Sequence, residues 1–91
     1  MKYVSTRATG SHASPARRFS EILLECLAPA GGLYVPEAFP LIDLSSLRAK
    51  SYPELANSIL SHFIDDVPGL KGIVDRTYTA KIFGSADITP L

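Results

Sequence analysis

Between Phe19 and Pro40 the chain reads FSEILLECLAPAGGLYVPEAFP, and this run limits the fold more than any other. Phe19, Ile22, Leu23, Cys26 and Leu27 recur at helical spacing and predict one apolar helix face. Pro29 cannot continue that helix, and Gly31-Gly32 supplies the backbone freedom to reverse the chain. Leu33-Tyr34-Val35 is then a compact strand signal closed by Pro36. So short a strand is not stable alone. Its natural partner is Lys2 to Thr6, where Tyr3 and Val4 favour extended backbone.

Other elements follow from local signals. Ala8 to Ser14 is polar and reads as a loop, with His12 solvated in it. Ser14-Pro15 suits an N-cap followed by proline at the first helical position. The first helix is therefore expected to start between Pro15 and Ser20 and to run to about Leu27, with Arg17-Arg18 a solvated helix start. Asp43 or Ser45 caps a single turn through Leu47 and Arg48, and Leu41, Leu44 and Leu47 would cover the edge of the core. Ser51-Tyr52-Pro53-Glu54 is a capping box, in which serine and glutamate each satisfy a free backbone N–H. Tyr52, Leu55, Ala56, Ile59, Leu60, Phe63 and Ile64 follow in alternating steps of three and one, which predicts a central core helix. A last helical stripe runs through Leu70, Ile73, Val74, Thr77, Tyr78 and Lys81 or Ile82. Gly72 weakens it by roughly 1 kcal/mol relative to alanine, Gly84 ends it, and Ser85 to Leu91 is extended.

The expected architecture is α+β: a mainly helical small domain with about three principal helices and a short two-stranded sheet. The expected core is Leu23, Leu27, Leu33, Val35, Leu55, Ile59, Leu60, Phe63, Leu70 and Val74. Ninety-one residues, 46% of them hydrophobic, suit one domain with one small core. Net charge is zero, which argues against nucleic acid or an anionic membrane as partner. The lone Cys26 cannot form an internal disulfide and reads as a small core hydrophobe. Neither a signal peptide nor a membrane span is legible, so a cytoplasmic setting is expected.

Chemistry-bearing patterns are sparse. His62 near Asp65 and Asp66 reads as a helix-end ion pair rather than a catalytic dyad. The adjacent aspartates read as a helix stop and the next N-cap, because a hard cation needs several oxygens from a shaped loop. The lysines Lys2, Lys50, Lys71 and Lys81 do not neighbour a phosphate-cradling glycine loop. GxSxG, HExxH, CxxC and GKS/T are absent. No catalytic, cofactor-binding or metal-ligating residue is assigned. Thr6 and Arg7, at the end of the first strand, are the candidates for an interdomain or cleft contact; the simpler reading is a solvated strand end.

A family resemblance adds to this. Lys2-Tyr3, Ser5-Thr6-Arg7, the stretch from Phe19 through GGLYVPE to Pro40, SYPELANSIL from Ser51 to Leu60, and Ile88-Thr89-Pro90-Leu91 together resemble the N-terminal domain of threonine synthase. The chain departs from the family pattern at Ala8, Cys26 and Ala30, which bears on local turns. The resemblance implies a single N-terminal domain over residues 1–91 of a longer enzyme that converts O-phosphohomoserine and water to threonine and phosphate. It implies pyridoxal phosphate in that full-length enzyme, with none bound by these residues, which alone would be inactive. The implied partners are the catalytic domains of the same chain, with self-association through an exposed docking face a further possibility. A free-standing interaction module without enzymatic activity is the alternative, and a small hydrolase or metal protein is a distant third.

Overall fold

A computed structural model describes residues 1–7, 15–25, 27–28 and 31–90. The expectations for Ala8, His12, Ser14, Cys26, Pro29 and Ala30 lie outside the described residues. In chain order the elements are β1 (Lys2–Ser5), β2 (Arg17–Arg18), α1 (Phe19–Ile22), β3 (Tyr34–Pro36), a 3-10 turn (Leu44–Leu47), α2 (Tyr52–Phe63), α3 (Leu70–Thr77) and α4 (Ala80–Phe83). The small mixed α+β domain is the class the sequence predicts. Two compact units divide it: Met1–Pro40 with Phe63–Val67, and Leu41–His62 with the segment from Pro68 onward.

In the first unit, β1 is the middle strand of an antiparallel sheet ordered β2-β1-β3. The expected pairing with the Tyr34 strand is present: Val4 faces Val35 and Ser5 faces Tyr34. The strand β2 joins its other edge, with Lys2 opposite Arg18 and Tyr3 opposite Arg17. Arg17-Arg18 is thus an edge strand rather than a solvated helix start. Arg18 still caps α1 by donating its backbone N–H to Glu21 Oε1 at 2.9 Å.

The α1 helix stops earlier than the apolar spacing predicts. Glu25 N donates to Ile22 O at 3.1 Å, a tightened three-residue closure, and Ala28 N reaches Gly32 O at 2.9 Å. Closing the reversal on Gly32 takes the chain out of helix before Leu27. Gly31, at φ 76°, supplies the left-handed residue that this return requires.

In the second unit, Asp43 caps the 3-10 turn, its carboxylate accepting from Ser45 N at 3.0 Å. Ser51 Oγ accepts from Glu54 N at 3.4 Å at the start of α2. The last stripe is split in two. Thr79 takes an extended conformation, and its hydroxyl accepts from Ile82 N to start α4, which Gly84 ends at φ 78°. The N-cap of α3 is Gly69, not an aspartate.

The core departs most from expectation. Among the described residues the buried apolar set is Tyr3, Ile22, Ala28, Val74 and Ile88, joined by the polar Ser5. Of the expected core only Val74, at 2% exposure, is there. Helix α2 buries no residue, and Leu41 and Leu44 lie exposed. Ile88 holds φ 62°, an outlier for a β-branched residue, inside a turn where its N–H donates to Ser85 O.

Candidate functional site

In the first unit, hydrogen bonds join the end of β1 to the residues that follow the glycine reversal. Side chains alternate along a strand, so Tyr3 and Ser5 share its inner face. Thr6 is clamped twice: its N–H donates to Leu33 O at 2.8 Å, and its hydroxyl accepts from Leu33 N at 3.0 Å. Arg7 N donates to the buried Ser5 Oγ at 3.1 Å. Gly32 lies so close that a Cβ there would stand 2.3 Å from Ser5 Oγ and 3.2 Å from Arg7 N. The Arg7 guanidinium passes beside Gly31, with Nη1 3.1 Å from where a Cβ would be. Thr6 and Arg7 are both exposed, on backbone that these bonds hold in one geometry.

Exposed leucines flank the reversal in sequence. Leu23, Leu24, Leu27 and Leu33 are 55%, 91%, 61% and 56% exposed. Three of these leucines were expected in the core.

Two charged clusters tie the same unit together. Glu25 accepts from the Tyr34 hydroxyl at 2.7 Å and from Arg17, and both bonds hold its carboxyl below the usual range. Asp65 accepts from the Met1 amine, and Asp66 from the Ser20 hydroxyl and backbone N–H, with Arg18 near both carboxylates. Those hydrogen bonds, aided by Arg18, lower both aspartate pKa values. The expected His62 ion pair is not what the aspartates make. Asp65 and Asp66 also raise the Tyr3 phenol, behind the larger effect of burial. Among the described residues no group of three or more His, Cys, Asp or Glu side chains is placed to hold a metal ion. No helix there is long and apolar enough to cross a membrane.

These lowered carboxyls set an acid response. A depressed folded pKa contributes stability above the unfolded pKa, and that stability is lost as pH falls through the folded value. Urea midpoints should therefore fall steadily below about pH 4. Asp66→Asn should flatten that fall, and a slope identical to the parent chain would rule the aspartate out as a contributor.

Sequence reasoning placed Gly32 in the reversal but missed the burial of Ser5, the close approach of Gly32 to it and the Asp66–Ser20 bond. The period of two from Tyr3 to Ser5 was the available signal for the first. Nothing local announces the other two, because each depends on a partner far along the chain.

The family described as threonine synthase N terminus matches residues 2–78. A threonine synthase of Methylobacillus glycogenes is 49% identical, aligned over 99% of this chain and 21% of that protein. One from Corynebacterium glutamicum is 44% identical over 100% of this chain and 20% of its own length. The crystal structure of PLP-bound threonine synthase from Brucella melitensis matches at a TM-score of 0.83 and 37% identity, covering 100% of this chain and 20% of that one. The chain spans about one fifth of the length of these relatives.

Proposed function

Since this chain belongs to the threonine synthase N-terminal family, we propose that it docks on catalytic domains carried by the same polypeptide. The whole enzyme then converts O-phosphohomoserine and water to threonine and phosphate in the cytoplasm. The observation that carries this reading is the exposed surface of Leu23, Leu24, Leu27 and Leu33. A free-standing module would keep such a face covered, so the surface favours a domain with a neighbour. The same face would drive self-association of the domain when it is separated from that neighbour.

Pyridoxal phosphate, in such an enzyme, stabilises carbanions next to the amino-acid nitrogen. Lys71 and the glycine reversal do not fit that group. Lys71 sits on an exposed helix face and is paired with Asp75 at 2.8 Å, and the left-handed reversal at Gly31 leads to a strand rather than a helix N-terminus. No step is assigned to these residues through the cofactor. Their role is positional: Thr6 and Arg7, held at the strand end beside the leucine surface, contact the neighbouring domain or its substrate cleft.

The test is phosphate release from O-phosphohomoserine by the full-length protein. The combined Leu23→Asp and Leu24→Asp change should lower it by about tenfold or more, the scale of two buried interface anchors. Arg7→Gln should raise KM or lower kcat without a matching loss of stability. A full-length parent that releases no phosphate overturns the reading, as does a leucine variant with unchanged turnover.

A further inference from the structure

We propose that the apolar face of α2 is a socket for one apolar side chain from the part of the polypeptide outside residues 1–91. This rests on the reading of the chain as an N-terminal domain with catalytic neighbours. Helix α2 is capped, twelve residues long and apolar on one face, yet none of its residues is buried. An amphipathic helix of this kind needs a covering partner for that face. Tyr52, Leu55, Ala56, Ile59, Leu60 and Tyr78 enclose an open pocket of about 190 Å³. The lining rings of Tyr52 and Tyr78 stack at 5.6 Å and 26°, and Phe83, outside the lining, stacks on Tyr78 at 5.2 Å and 20°. An apolar cavity of about 150 Å³ accommodates benzene, so this one is sized for a leucine- or phenylalanine-like group. Neither a carboxylate nor an ammonium lines it, which excludes a charged occupant.

The rest of the same polypeptide is the favoured source. Relatives are about five times as long as this chain. A one-side-chain socket buries far less than the roughly 1,200–2,000 Å² of a stable bimolecular interface. A tethered partner needs no such area, because a short linker holds it at effective concentrations of about millimolar.

Thiol labelling of the full-length protein tests this. Ala56→Cys places a thiol in the pocket, and Asn57→Cys places one on the next residue of α2, which is also half-buried but does not line the pocket. Both variants should melt with the parent. After subtraction of native cysteine labelling, Cys at 56 should react with a maleimide about tenfold more slowly than Cys at 57. The difference should not change on dilution. Equal rates overturn the proposal, and a difference that vanishes on dilution assigns the socket to a second copy and overturns it too. Failure of the parent protein to release phosphate would sink the functional reading separately, whatever the labelling shows.

Discussion

Replacing Tyr3 with alanine should unfold the first unit under conditions where the parent chain is folded. Among the described residues Tyr3 is the one buried aromatic group, and it occupies the middle strand of the sheet. Its ring lies 6.1 Å from that of Phe19 at 57°, a tilted pair. Its hydroxyl donates to Phe63 O at 2.5 Å, so the ring is fixed at both ends. Aromatic-to-alanine changes in a core cost about 3–5 kcal/mol, against a total of about 5–15 kcal/mol for a typical domain. Tyr3→Phe separates the two contributions. It keeps the packing and leaves the Phe63 carbonyl without that donor, at a cost of about 1 kcal/mol. Urea denaturation of the parent and both variants measures this. A Tyr3→Ala loss below that of Tyr3→Phe would show that the ring does not anchor the unit.

Gly32→Ala is the second large effect. The added methyl would meet Ser5 Oγ at 2.3 Å and the Arg7 backbone and Cβ at 3.2 and 3.3 Å. Ser5 is buried and bonded to Arg7 N, and two of the three contacts belong to a strand end pinned by Leu33. The neighbours therefore have little room to yield. Overpacking of this kind costs about 1–3 kcal/mol. Removing the closest obstacle, with Ser5→Ala in the same chain, should recover part of the loss. The double variant will not recover all of it, because the Arg7 contacts persist and the Ser5–Arg7 bond is gone. Strict additivity of the two changes would mean the serine is not what the methyl strikes. On the function proposed above, the single change should also disturb Arg7, so phosphate release by the full-length protein should fall along with stability.

Elements whose signals are local were legible in the residues. Ser51 and Glu54 announce the start of α2, Asp43 the 3-10 turn and Gly84 the end of α4, because each is a bond or a φ angle settled within a few positions. The pairing of β1 with β3 was legible because two short strands have no other stable use. The family pattern, likewise, is written in the order of residues along the chain. Burial is a different matter, since it depends on what covers a face. Leu23, Leu27 and Leu33 carry the apolar spacing of a core but lie outside it. Helix α1 ends at Ile22 because the return to Gly32 outweighs the propensity of the following leucines. Arg17-Arg18 becomes an edge strand because β1 has a free side to pair. The apolar periodicity determined which surfaces avoid water; only the tertiary structure decided that, among the described residues, Tyr3, Ile22, Ala28, Val74 and Ile88 meet that need inside this chain, while Leu23, Leu27 and Leu33 stay exposed and the apolar face of α2 stays half-buried.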